Sequence, residues 1–271
     1  IGKIYHPESN EIVMEFHKMN IGKTFLKIFP GSVMFTDESK ENYEGILQFG
    51  TVLRKHLDGY FLCDIRQIEP ERIARLSFKL GDDEKSLYLE FFGKGNAVLC
   101  GREDSIINAL LHHEFRERSI KPGVTYSYPV MKHNFYSIEK EGITEVINNS
   151  KKDSLVICLA IELGLGGSYA EEICFLSKVD KTKNPKVLNE FEISTLLFAI
   201  KGLLKKRIDP CVYYKEDKLF CLSPFKLEHC KDLPSQGFPS FNEALKFFYY
   251  HFQGLKESES DIKIRNLRKK Y

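Results

Sequence analysis

The sequence predicts an α+β fold in two parts, a β-rich first half and a helical second half. Three observations lead there. A chain of 271 residues exceeds the usual reach of one core; apolar residues alternate with period two through much of the first half; and beyond about residue 140 they recur at intervals of three and four. A hydrophobic content of 42% can fill two cores, and a charged fraction of 29% suits an ordinary surface.

The elements follow in order. Gly2-Lys3-Ile4-Tyr5 is strand-like, and in Glu11 to Lys18 the residues Ile12, Met14 and Phe16 alternate with Val13, Glu15 and His17, which turns one set toward a core. Thr24 to Phe29 and Val33 to Thr36 extend the meander across Pro30-Gly31, a turn pair. From Tyr43 to Leu57, Ile46, Phe49, Leu53 and Leu57 have helical spacing, with Gly59 where a C-cap belongs. Leu76, Phe78 and Leu80 alternate with Arg75, Ser77 and Lys79, Gly81-Asp82-Asp83 turns the chain, and Leu87, Leu89 and Phe91 alternate again before Gly93, a second antiparallel sheet. Leu155 to Leu163, Ser168 to Leu176, Phe191 to Lys206 and Ser240 to Phe252 carry helical spacing, and β-like alternation returns briefly at Cys211 to Cys221. Domains are therefore expected over residues 1–135 and 136–255. In residues 256–271 the three-then-four spacing of Ile264, Leu267 and Tyr271 could open a coiled coil.

With 40 Lys and Arg against 38 Asp and Glu, the net charge of +2 does not announce a nucleic-acid binder, so such a partner would need a local basic patch. The seven cysteines stand singly, without the C-x-x-C pairs of zinc or redox sites, and are expected to be reduced thiols. No metal or other cofactor is expected. No run of 18 apolar residues and no basic-then-apolar leader occurs, so neither a membrane span nor secretion is expected, and a start at Ile1 reads as a fragment. No nucleophile elbow, H-E-x-x-H, Walker loop or dinucleotide fingerprint appears, and no catalytic residue is nominated.

Four clusters remain as binding candidates. Arg54, Lys55 and His56 follow one another on a helix whose Leu53 and Leu57 are buried, so at least two must face solvent or a partner. Glu71 and Arg72 open a strand, where adjacent side chains point to opposite faces and each needs its own partner. Lys94 and Asn96 sit in a Gly-x-Gly turn that permits close approach by a partner backbone. Leu163-Gly164-Leu165-Gly166-Gly167-Ser168-Tyr169-Ala170-Glu171 looks like a helix-hairpin-helix, with Ser168 and Glu171 as a capping box and backbone N–H groups open to a phosphate. Each cluster also has a plain structural reading: a solvated face, a rim ion pair, a hairpin turn and a helix connection.

The succession Gly2-Lys3-Ile4-Tyr5-His6-Pro7, Leu53-Arg54-Lys55-His56-Leu57, Glu71-Arg72-Ile73, Phe92-Gly93-Lys94-Gly95-Asn96, Gly123 with Tyr126 and Pro129, and Leu163-Gly164-Leu165-Gly166 with Tyr169-Ala170-Glu171-Glu172 resembles the NFACT family in order across nearly the whole chain. The resemblance implies an N-terminal domain similar to that of formamidopyrimidine-type DNA glycosylases, followed by a helix-hairpin-helix domain. It also implies a cytoplasmic, ribosome-associated factor that binds large ribosomal subunits obstructed by peptidyl-tRNA. Such a factor recruits tRNA, alanyl-tRNA in bacterial members, to extend the stalled chain without a template, leaving peptide-bond formation to the ribosome. The family's acidic-Arg pair falls on Glu71-Arg72, with Glu in place of the usual Asp, while an important upstream Asp lies outside this sequence. The alternative readings are a DNA glycosylase or lyase, whose N-terminal proline and zinc finger have no counterpart here, and an adhesion protein after the family's older fibronectin-binding name.

Overall fold

A computed structural model of the chain describes residues 1–18, 22–38, 43, 45–114, 118–129 and 133–251. The proposed coiled-coil start at 256–271 lies outside them. The chain divides into two units, Ile1–Met131 and Lys132–Tyr271.

The first unit is built on two antiparallel sheets. Strands β1 (Ile4–Glu8), β2 (Glu11–Lys18), β3 (Gly22–Phe29) and β4 (Val33–Asp37) form a meander in chain order. After helix α1 (Gln48–Leu57), strands β5 (Phe61–Gln67), β6 (Ile73–Leu80), β7 (Asp83–Glu90), β8 (Asn96–Cys100) and β9 (Ile106–Ala109) form a second sheet, also in chain order, and β10 (His113–Glu114) pairs with β11 (Ser119–Ile120). Ile12, Met14, Leu26 and Ile28 of the first sheet, Phe49, Leu53 and Leu57 of α1, and Leu76, Phe78, Leu87, Leu89 and Leu99 of the second make one core. The other face of the second sheet is covered too: Ile73, Tyr88, Val98 and Cys100 pack with Ile106, Ile120 and Tyr126. Strand β5 escaped the periodicity because neither of its faces is fully buried and a bulge between Leu62 and Asp64 breaks its alternation.

Helix α1 begins five residues later than its apolar spacing suggests. Gly45 has φ +78°, and Ile46 forms a parallel bridge with His6, so this stretch is extended. The helix is then clamped at Gly50, whose N–H donates to Nδ1 of buried His6 at 3.1 Å. A Cβ at position 50 would lie 2.5 Å from the His6 Cβ, an atom that cannot swing aside. Gly50→Ala is expected to lower unfolding free energy by about 1–3 kcal/mol through overpacking, measurable by urea titration. Unchanged stability would mean that α1 can shift as a body.

The second unit packs helices α2 (Lys140–Asn149), α3 (Leu155–Ile157), α4 (Gly167–Ser177) and α5 (Glu190–Leu203) around Ile143, Ile147, Leu155, Leu159, Ile173, Leu196 and Ile200. Helix α3 runs on into a π-helical turn, Cys158–Glu162. A three-stranded antiparallel sheet follows, with β12 (Cys211–Lys215) between β13 (Lys218–Ser223) and β14 (Ser235–Gly237), and the last described helix, α6, covers 241–251. Helix α2 gives little periodic signal in the sequence, because only Ile143, Val146 and Ile147 mark its buried face among polar neighbours. The capping box is at α5, where the Asn189 side chain accepts from Glu192 N–H and the Glu192 carboxylate accepts from Asn189 N–H, each at 2.9 Å. It is not at Ser168.

Candidate functional site

The start of β6, the end of β7 and the start of β8 meet at one end of the second sheet, and two of the predicted clusters lie there. Glu71 and Arg72 precede β6 in a bend rather than standing on the strand, so their alternation across a sheet does not occur. The Arg72 carbonyl accepts from Phe91 N–H at 2.8 Å, which fixes its backbone beside the β7–β8 turn. Lys94 occupies that turn. Both the Arg72 and Lys94 side chains are exposed and make no hydrogen bond or ion pair among the described residues.

Glu71 is half-buried, and its Oε1 is a buried acceptor with no donor among the described residues. Burial is the largest influence on its carboxyl and holds its pKa above the usual value; Arg72 and Arg118 oppose this, and Glu90 reinforces it. Next to Glu71 lies a buried ionic network. Glu90 pairs with Arg118 at 2.8 Å and accepts from Tyr126 OH at 2.9 Å, all three being buried at the side chain or nearly so. Arg118 is thus paired with Glu90, whereas Glu71 Oε1 has no donor among the described residues.

The Gly-x-Gly turn serves the protein's own packing. Gly31 N–H donates to the Glu90 carbonyl at 3.0 Å, bringing the β3–β4 turn onto the β7–β8 turn. Gly95 has φ +73°, and a Cβ there would come 1.9 Å from Gly31 N, so the close approach that requires glycine comes from this chain. Asn96 is likewise occupied. It is 2% exposed, its Nδ2 donates to Leu111 O at 2.8 Å, and its Oδ1 accepts from Ala97 and Leu111 N–H. The expectation that Asn96 contacts a partner is corrected: its amide is spent tying β8 to the segment after β9.

The third cluster does not join the other two. The Gly59 turn after α1 lies against Leu80, and Lys85 is among the charges acting on His56, so the end of α1 sits by the β6–β7 turn. Arg72 precedes the opposite end of β6. Eight residues at a rise of about 3.3 Å separate the two ends by roughly 23 Å. Here Arg54 Nε donates to Ile4 O at 2.6 Å, Lys55 is exposed, and His56 is held below its usual pKa by burial and then by Lys55 and Lys85. Arg54 and Lys55 line a cleft of about 650 Å³ with residues of β1.

In the second unit, Gly164 and Gly166 adopt φ +74° and +75°, and Gly166 is the N-cap of α4 without any side-chain capping bond. Gly166 N–H donates to Ala160 O at 3.1 Å, and the first bond inside the helix runs from Ala170 N–H to Gly166 O. No atom lies within 4 Å of a Cβ built at Gly166 or Gly167, so this turn is open. Ser168 falls inside the first helical turn, and Glu171 pairs with Lys181 at 3.1 Å rather than closing a box.

One constellation not anticipated from sequence joins Glu172, His229 and Cys230. The Glu172 carboxylate, fully buried, accepts from His229 Nδ1 at 2.9 Å, from the backbone N–H of Glu228 and His229, and from Lys206 Nζ at 3.0 Å, while His229 Nε2 lies 3.2 Å from Cys230 Sγ. An acid–imidazole–thiol series has the order of a nucleophilic triad. Cys230 is 1% exposed, however, and burial raises its thiol pKa, so this is a polar tie between α4, the segment that follows α5 and the Glu228–Cys230 turn. Its signal in the sequence was weak, a glutamate at a core position of a helix.

Residues 1–266 match the family described as NFACT N-terminal and middle domains. Among curated proteins, the archaeal Rqc2 homolog aRqcH of Methanocaldococcus jannaschii is 29% identical over 92% of this chain and 38% of its own length. The Rqc2 homolog RqcH of Streptococcus suis is 30% identical over 68% of this chain and 36% of its own. Human ribosome quality control complex subunit NEMF is 26% identical over 82% of this chain and 24% of its own. The chain therefore spans about a quarter to two fifths of these relatives. Among solved structures, the N-terminal part of the fibronectin/fibrinogen-binding protein of Streptococcus suis superposes with a TM-score of 0.69, at 23% identity and over 92% of this chain and 91% of that one. The fibrinogen-binding protein of Staphylococcus aureus gives 0.70, at 22% identity and over 91% of this chain and 90% of that one. At these identities the two structures speak for the fold.

Proposed function

This chain belongs to the NFACT family, and from that membership we propose that it is the RNA-gripping part of a cytoplasmic, ribosome-associated quality-control factor. In this reading it binds a large ribosomal subunit obstructed by peptidyl-tRNA and helps recruit tRNA, alanyl-tRNA by the family resemblance, for template-free extension of the stalled chain. The relatives named as Rqc2 homologues and as a ribosome quality control complex subunit support it. Peptide-bond formation is left to the ribosome.

The single observation that carries the reading is the end of the second sheet where Glu71 keeps an acceptor without a donor beside the exposed cations Arg72 and Lys94. A buried acceptor left unfilled costs free energy in the isolated protein. The two exposed cations beside it can meet successive phosphates of an RNA backbone. Arg54 and Lys55 would contact a separate stretch of the same RNA. The open glycine turn before α4, formed by Gly164, Gly166 and Gly167 with Ser168 in the first turn, is read as a helix-hairpin-helix contact to one phosphate.

Binding of tRNA to this chain is expected to fall steeply with salt, because each neutralised phosphate releases a counterion. Filter binding between about 50 and 200 mM salt should give a log–log slope of roughly −1.4 to −1.8 from Arg72 and Lys94 if each meets a phosphate, and a steeper one if further cations take part. A flat dependence would remove the phosphate contacts and the reading with them.

A further inference from the structure

We propose that Tyr128 is a stacking platform for one unpaired RNA base beside the Glu71–Arg72 end of the sheet. The inference rests on the RNA-binding reading above and adds to it a contact with a base instead of the backbone. Tyr88 and Tyr126 are buried and stack with ring centroids 4.2 Å apart at 19°. Tyr128 stands nearly perpendicular beside that pair, 5.9 Å from Tyr88 at 72° and 5.7 Å from Tyr126 at 88°. A ring upright beside a stack can be covered by it on one face at most. Consistent with this, Tyr128 is 40% exposed, whereas its two ring neighbours are almost wholly enclosed.

The supporting rings cannot easily move. Tyr88 OH donates to Asp104 at 2.7 Å and Tyr126 OH to Glu90 at 2.9 Å. The residue before the platform is held as well, since Arg118 Nη1 donates to Ser127 O at 3.4 Å. Arg118 and Glu90 are the same two groups whose charges act on Glu71, so the ring and the acidic-Arg pair share one network. A half-open aromatic joined through Tyr126 and Glu90 to the end of the sheet that carries Arg72 and Lys94 supplies the π-face that, with cations along the backbone, proteins use to hold single-stranded nucleic acid. Base pairing and stacking in a duplex hide the base faces, so the segment offered to Tyr128 must be single-stranded.

The test uses a short single-stranded RNA carrying one 2-aminopurine, whose fluorescence is quenched on stacking, with unmodified tRNA as the second ligand. Wild type and Tyr128→Phe are expected to bind the oligonucleotide and quench it alike. Tyr128→Ala is expected to bind roughly tenfold more weakly, within the range of one base–aromatic stack, and to lose the quench. Tyr128→Leu, which keeps apolar bulk for folding but offers no π-face, should behave as the alanine variant, with thermal melting confirming that both are folded. Equal affinity and quenching in wild type and Tyr128→Leu overturn the platform. If wild type binds tRNA with a steep salt dependence and yet Tyr128→Leu is unaffected, the platform alone fails. If wild type binds neither ligand, the RNA reading fails with it.

Discussion

Replacing Arg72 with alanine is expected to abolish tailing by the full-length protein while leaving the melting temperature of this chain within about 2 °C. The side chain is exposed and makes no ion pair or hydrogen bond among the described residues. The bond that matters for folding, from Phe91 N–H to the Arg72 carbonyl, belongs to the backbone and survives the substitution. Exposed positions of this kind normally cost under about 0.5 kcal/mol. The loss on RNA should be far larger, because a guanidinium meets phosphate oxygens through two N–H donors at once. The salt slope of tRNA binding should become shallower by about one phosphate contact. Arg72→Lys keeps the charge but not the fork and should fall between the two. A drop in stability as large as the drop in binding would make Arg72 a structural residue and remove it from the interface.

Glu172 should behave in the opposite way, with a large effect on folding and a small one on RNA. Its carboxylate is wholly buried, which by itself would raise the pKa, but His229, the backbone N–H groups of Glu228 and His229, and Lys206 outweigh burial and hold it at about 2. Since that folded-state value lies below the ordinary 4.5, the stabilisation is present above pH 4.5 and is lost progressively as pH falls toward about 2. Removing one partner of a buried ionic set typically costs about 3–5 kcal/mol. Glu172→Ala is therefore expected to lower unfolding free energy at neutral pH by about 3 kcal/mol and to weaken the acid dependence between about pH 4.5 and pH 2. Denaturant titrations across that range supply both numbers. Wild-type and Glu172→Ala curves with the same acid dependence would mean that the carboxylate is not the group titrating.

The strands were legible where one face of a sheet is buried. Period two marked β2 from Glu11 to Lys18 and most of β3, β4, β6 and β7, because their alternate residues enter one core. It failed at β5, which offers no fully buried face, and at the beginning of α1, where a long-range bridge between His6 and Ile46 overrides the helical spacing of local residues. The same limit applies to the site. Glu71, Arg72 and Lys94 could be named from sequence, but which of the basic clusters share a surface depends on strand direction, and Arg54, Lys55 and His56 fall at the far end of β6 from Arg72. The role of Asn96 depends on Leu111, and that of Gly95 on Gly31, both distant partners that no local pattern announces. Glu71 was readable as an acid but not as an acceptor lacking a donor, a property of the folded surroundings.

Ultraviolet cross-linking of this chain to tRNA, with mass spectrometry of the RNA-bearing peptides, tests the proposed grip most directly. Adducts on the peptides that carry Glu71-Arg72 and Gly93-Lys94-Gly95, diminished in Arg72→Ala, are the expected result. Adducts confined to the α1 segment Arg54-Lys55-His56, with the Arg72 and Lys94 peptides unmodified, would contradict it and move the RNA to the opposite end of the sheet.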